Sequence, residues 1–356
     1  KLLSDFNFNY LPSTISFSSN IQRQFNRQQF RNVDVEGIPI SPLYRRNYFF
    51  NYQYGVNYSI TKALRLNYQV ATSNIVRNYL DENNVPVQDY TIWQDFWNPG
   101  EPNTHTQQIV LNYDVPINKI PALAFIKSTY SYNGSYNWQR SSEAFSQITD
   151  DNGVTYALGN VIQNSNSHKL NTTLNMDAFY KYIGLTARKP AAKPAPKAPP
   201  KPGEKITAAP QPAVSGNTFL NGLIGVLTSV KNIQIVYNET NGTALPGYLP
   251  RIGFFGTTRP TLGFILGSQD DDVRYEAAKL GYLTSYPEFN QSFTQTTNKT
   301  LNLTANVDLF PDFKIDLNAD RTYANSFSEQ YDVTDGMYNA RSPYNFGNFQ
   351  ITTILI

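Results

Sequence analysis

Between Tyr48 and Ile60 every even position is apolar or aromatic, while Asn51, Gln53, Gly55, Asn57 and Ser59 fill most of the odd ones. Successive side chains of an extended chain point to opposite faces, so a strict period of two marks a β-strand with one apolar and one polar face. A helix would spread the same residues around its whole circumference. After Thr61, Lys62 and Ala63 the pattern resumes, with Leu64, Leu66, Tyr68 and Val70 set against Arg65, Asn67 and Gln69. That is the return arm of a hairpin.

The same alternation recurs along the chain. Ala124, Ile126, Tyr130, Tyr132, Tyr136 and Trp138 oppose Lys127, Thr129, Ser131, Asn133 and Asn137. Leu170, Leu174, Met176 and Ala178 oppose Asn171, Thr173 and Asn175, which extends that strand through Ala178. Leu301, Leu303 and Val307 lead through a turn at Pro311 and Asp312 into Phe313, Ile315 and Leu317, with Asn302, Asn306, Asp316 and Asn318 behind them. The composition agrees: 25 Tyr and 22 Phe against 2 Met favour strands over helices. No apolar run approaches the roughly 20 residues of a transmembrane helix.

The connections separate two kinds of all-β protein. They alternate between short ones, near 11–13, 61–63, 115–121 and 310–312, and long ones, near 32–46, 78–103, 140–165, 240–291 and 331–345. Transmembrane β-barrels have this asymmetry, with short periplasmic turns and long extracellular loops. The expected fold is therefore all-β, an antiparallel barrel wall of about eleven strands. In such a wall one face meets lipid and the other water. Gln53, Asn57, Asn67, Asn133, Asn171, Asn302 and Asn318 are the expected lumen-facing residues. An odd crossing count, a first strand at Phe6, Phe8 and Tyr10, and a last strand ending at Ile354, Leu355 and Ile356 suggest an arc of a larger barrel.

Four segments follow. Residues 1–187 carry strands with long loops, and 188–216 form a Pro/Ala/Lys-rich linker expected to be disordered on the periplasmic side. Residues 217–231 place Phe219, Leu220, Leu223, Ile224 and Leu227 at helical spacing, for a short amphipathic helix behind Asn217. Residues 232–356 return to strands, with an extracellular loop over 240–291.

Function classes are narrowed by what the composition lacks. Cysteine is absent, which removes disulfides and thiolate metal sites, and a formal charge of +2 gives no general electrostatic case for nucleic acid. The two histidines, His105 and His168, stand in no metal-ligand or triad spacing, so no catalytic residue, metal or cofactor is assigned and no enzyme is expected. Asp270, Asp271 and Asp272 match no calcium-loop order and read as a solvated loop. Asp150, Asp151, Asn152 and Gly153 read as a hairpin tip. Tyr48, Tyr136 and Trp138 fit an interfacial aromatic girdle. Trp93, Trp97, Phe254, Phe255, Phe264 and Leu266 lie in long loops, as contacts for a partner or as a self-packed cap.

Several stretches carry a family resemblance. Asp5–Pro12 (DFNFNYLP), Ile15–Arg31 (ISFSSNIQRQFNRQQFR), Ser59–Tyr68 (SITKALRLNY), the Trp93–Trp97 loop (WQDFW) and Leu170–Tyr180 before a basic Pro linker resemble the SprA (Sov) family. That family forms the outer-membrane translocon of the type IX secretion system. The resemblance implies a very large single-chain barrel in the outer membrane, conducting folded cargo proteins to the cell surface and supporting gliding motility. It further implies a lateral opening with a docked PorV-type shuttle barrel, a plug protein below, and outer-membrane lipid around the wall. Two other readings share the pattern: a TonB-dependent-type nutrient receptor barrel, and a soluble secreted β-sandwich adhesin.

Overall fold

The computed structural model describes residues 8–30, 42–77, 79, 85, 87, 90–142, 146–185, 218–310 and 313–352. Ten long strands form one antiparallel sheet, each beside its neighbour in the chain apart from a small excursion. They are β1 (Thr14–Gln28), β2 (Leu43–Ser59), β3 (Leu64–Ile75), β4 (Glu101–Val115) and β5 (Ile126–Gln139). After the small hairpin β6 (Gln147–Thr149) and β7 (Thr155–Ala157) come β8 (Asn160–Asn175), β9 (Val230–Tyr248), β10 (Ser292–Phe310), β11 (Phe313–Thr334) and β12 (Met337–Ile351). The β6–β7 pair is a separate sheet whose tip is tied by the Asp150 carboxylate, which accepts from the Asn152 and Val154 amides. No helix among the described residues is long and apolar enough to cross a membrane, which says nothing of strands.

The described residues give ten strands in the sheet where about eleven were expected. Phe8 makes only an isolated bridge to Thr61 and starts no strand of its own. Phe6, the linker at 188–216, Asn217, the turn at Pro311 and Asp312, and the end at Ile354–Ile356 lie outside the described residues.

Three other expectations are corrected. The loop assigned to 240–291 starts at Leu249, because Asn241, Thr243 and Ala244 keep pairing with both β8 and β10, and Leu245 with β8. The strand assigned through Ala178 stops at Asn175, whose side chain accepts from the Ala178 amide and caps α1 (Met176–Tyr182). Such a cap satisfies an amide that the first helical turn leaves free, and it ends the strand. The connection assigned to 331–345 is a two-residue turn, Asp335–Gly336, between the paired residues Thr334 and Met337. Both turn residues have positive φ, 50° and 74°, the geometry that matches the twist of a hairpin and that glycine accepts without cost.

A helix α2 (Thr218–Leu227) precedes β9, and its end is closed by the Thr228 hydroxyl donating to the Ile224 carbonyl. Both α1 and α2 lie at the end of the sheet that carries the short connections. At the other end, residues 249–291 fold into a cap with two short helices, α3 (Leu262–Ile265) and α4 (Val273–Lys279). The main buried core lies between this cap and the sheet. It joins Tyr136, Trp138, Ile162, Leu245 and Phe293 of the strands to Phe264, Ile265, Val273, Ala277 and Leu283 of the cap.

Candidate functional site

Residues directly opposite in antiparallel strands share a face, so the register assigns every strand position to one side. On one face the pairs are Asn57 with Asn67, Gln69 with Gln108, Asn133 with Ser167, Asn171 with Val236, and Asn302 with Asp320. Gln53, Asn57, Asn67, Asn133, Asn171, Asn302 and Asn318 all lie on this polar face, drawn from six strands. Neighbouring strands are stitched by their side chains: Asn67 donates to Asn57, Gln108 to Asn133 at 3.0 Å, and Asn306 to Asp316 at 2.7 Å. Charges are few, and Arg65 and Asp114 form a pair at 3.4 Å.

The opposite face divides into two zones along the strands. Toward the short-connection end it carries Ile15, Phe17, Val56, Leu66, Leu111, Tyr130, Leu170, Ile235, Leu303 and Leu317, a band continuous across the sheet. Much of it is bare: Ile15 is 72% exposed, Phe17 61% and Leu317 42%. A contiguous apolar surface of this kind calls for an apolar environment or a partner.

Toward the long-connection end the same face turns polar yet buried, because the chain's own loops lie on it. Asn164 donates to the carbonyls of Phe264 (3.0 Å) and Ser268 (2.7 Å), and Asn166 to that of Gly267 (2.7 Å). The hydroxyls of Tyr52, Tyr54 and Tyr132 donate to the carbonyls of Phe254, Phe255 and Leu266. Cap carbonyls that would otherwise be stranded under the loop thus find donors on the sheet.

His105 is wholly buried in this zone, with Nδ1 2.7 Å from the Thr72 hydroxyl and Nε2 2.8 Å from the Gln107 amide nitrogen. Since the amide donates, the ring proton sits on Nδ1, facing Thr72. His168 accepts or donates at Nδ1 to the Tyr130 hydroxyl at 2.7 Å. Both histidines are spent on neighbours within the sheet.

The loop candidates separate into two groups. Phe264 is fully buried and Leu266 partly so, held against the sheet, whereas Phe255 is 83% exposed and Phe254 47%. Phe254 nevertheless stacks on Tyr52, with ring centroids 4.5 Å apart. Trp93 and Trp97 are 72% and 85% exposed. Their loop is fixed from behind by Arg23, which donates to the carbonyls of Ile92, Gln94 and Asp95 and lies over the rings of Tyr48 and Phe96. In that loop, burial and then the Asp95 carboxylate push the Tyr90 phenol up, which keeps it a donor to the Gln94 carbonyl. Tyr48, Tyr136 and Trp138 are not an interfacial girdle. They are buried beneath the chain's own loops, and Trp138 donates to the Pro250 carbonyl.

No protein-family model and no curated protein matches the chain. What the residues build is a two-faced sheet. It offers a broad polar surface of Ser, Thr, Asn and Gln with a minority of charges on one side, and on the other a bare apolar band below a loop-covered zone.

Sequence reasoning missed the residues that fasten the loops: Arg23, Asn164, Asn166 and Arg274. For Arg23, Asn164 and Asn166 a signal was present, because they are polar or charged side chains at strand positions that the alternation assigns to the apolar face; Arg274, on helix α4, carried no such signal. Lys299 and Arg321 break the alternation in the same way.

Proposed function

We propose that the chain is an arc of the wall of a very large outer-membrane β-barrel, and that this barrel conducts folded proteins to the cell surface in type IX secretion. The observation that carries this reading is the polar face, a surface of Ser, Thr, Asn and Gln running through ten strands with few charges. Lipid does not accept such a surface, since each unpaired polar group costs several kcal/mol in hydrocarbon. Water does. The bare apolar band behind it has the opposite preference, and a barrel wall satisfies both.

Strand length supports the same arrangement. Crossing a bilayer takes about 9 to 11 residues of a tilted strand, whereas β2 has 17, β9 has 19 and β11 has 22. The excess projects at the long-connection end, and there the loops cover the sheet. Among the described residues β1 and β12 are open edges, which lipid does not tolerate, so closure requires further strands. A β-sandwich would bury the apolar face under a second sheet. Here a loop covers half of it and the band remains bare.

Conduction in this reading is passive, and no residue forms or breaks a bond. A polar surface with little fixed charge lets varied cargo slide, because strong charge would hold cargo of opposite sign. A PorV-type barrel and a plug protein are the partners that the family resemblance proposes. Full-length protein freed of its partners and placed in planar lipid bilayers is expected to open pores conducting well above a porin. A closed or porin-sized trace would sink the proposal, and a plugged nutrient receptor would give the closed one.

A further inference from the structure

On the apolar face, β10 and β11 set two cations immediately above the leucine band. Arg321 is directly opposite Leu301, and Lys299 is opposite Tyr323, so the cations lie on the diagonal of adjacent rows. With Tyr237, Thr300, Leu301 and Tyr323 they line an open pocket of ≈ 370 Å³.

The charges there do not cancel. Lys299 lies 3.2 Å from the Glu239 carboxylate, which also accepts from the Tyr237 hydroxyl at 2.6 Å and the Asn241 amide at 3.2 Å. Arg321 has no carboxylate within ion-pair distance among the described residues, and its guanidinium stands 5.3 Å from the Phe349 ring centroid. Glu239 thus offsets Lys299 and leaves Arg321 uncompensated. Below the pocket the face is apolar and open, with Leu303 37% and Leu317 42% exposed.

We propose that this pocket binds the phosphate of an anionic lipid, whose acyl chains lie down the band over Leu303 and Leu317. A guanidinium presents a planar fork that matches phosphate oxygens, and the Lys299 ammonium beside it adds a further hydrogen-bond donor while Arg321 supplies the uncompensated charge. Lys, Arg and Tyr above an apolar stripe form the arrangement that holds side chains at a bilayer interface. A free phosphate would gain nothing from the leucines, whereas a lipid gains from both halves of the site. The proposal rests on the barrel-wall reading, and its position toward the long-connection end puts the lipid in the outer leaflet.

The test uses full-length protein in detergent, examined by native mass spectrometry after incubation with phosphatidylglycerol, with phosphatidylcholine of the same chains, or with inorganic phosphate. Wild type is expected to retain phosphatidylglycerol at least tenfold better than phosphatidylcholine. The Lys299→Gln/Arg321→Gln double variant is expected to lose that preference, Leu303→Ser to weaken it, and millimolar phosphate to leave it intact. Equal retention of both lipids, or an unchanged double variant, overturns the site; displacement by phosphate alone makes it a soluble-anion site and overturns the lipid assignment. Flotation of the same preparations with vesicles separates the two levels. Wild type that fails to float contradicts the wall reading itself, whereas floating protein without lipid preference contradicts only the pocket.

Discussion

Replacing Arg274 by alanine is expected to release the 249–291 cap from the sheet at a cost of about 3–5 kcal/mol. Arg274 belongs to α4, and its Nε lies 2.8 Å from the Glu329 carboxylate of β11, with the two side chains 11% and 4% exposed. The guanidinium is also stacked near Phe293 (4.6 Å) and Tyr275 (4.7 Å), and Nη1 donates to the Asp271 carbonyl. Breaking such a pair is costly because the surviving charge stays buried. Among the described residues Glu329 would keep the Tyr338 hydroxyl, which donates to it at 2.9 Å. Thermal unfolding in detergent and limited proteolysis of the cap should both show the loss, and adding Glu329→Gln should restore part of it. An Arg274→Ala protein with a fully protected cap would show that the cap is held elsewhere.

Gly134→Ala is expected to act on the same cap from the opposite side. Gly134 lies on the apolar face of β5 under the cap, and a Cβ there would stand 2.1 Å from the Leu266 carbonyl oxygen. No rotamer relieves an overlap with backbone, so the cap must lift. Lifting it breaks the bonds from Tyr132, Asn164 and Asn166 and uncovers Phe264. Four hydrogen bonds at about 1 kcal/mol each put the loss near 4 kcal/mol before any exposure of the ring is counted. Gly347→Ala is the matched control. Its nearest neighbour would be 3.5 Å away, in ordinary contact, and the change should stay within about 0.5 kcal/mol. Equal melting of the two variants would contradict the close approach at Gly134.

Much of the sheet is legible in the sequence because a period of two survives wherever one face is uniformly apolar. From Tyr48 to Val70 the pattern gives strands, faces and turn together. It fails in three kinds of place, each for its own physical reason. Where the cap covers the sheet, Asn164 and Asn166 occupy apolar-face positions because the loop carbonyls above need donors, and Thr72, His105 and Gln107 occupy others as a buried group bonded to one another. Hydrophobicity therefore stops marking the buried side. At β12 the strand is masked by a register shift and by Ser342, at φ 49° beside Pro343, so the Asp335–Gly336 turn is read as part of a long loop. At Asn175 the alternation runs on into Met176 and Ala178 although the cap has already begun a helix.

The candidate residues divide along the same line. The seven polar positions assigned to a lumen share one face because strand parity alone determines that. The loop aromatics were not separable in advance, since nothing local distinguishes buried Phe264 from exposed Phe255. Their fates depend on donors in β2 and β8, which lie about a hundred or more residues away along the chain.

The central claim is that the polar face meets water while the apolar band meets lipid. The chain itself adds no cysteine background, and with any cysteine elsewhere in the full-length protein replaced by serine, single cysteines report alone. Asn302→Cys and Asn318→Cys sit on one face, and Leu303→Cys and Leu317→Cys on the other, in the same two strands. In full-length protein held in membranes, the account predicts rapid labelling of the asparagine positions by a water-soluble maleimide and protection of the leucine positions until detergent strips the lipid. Equal labelling of both faces in intact membranes, or the reverse pattern, would contradict it.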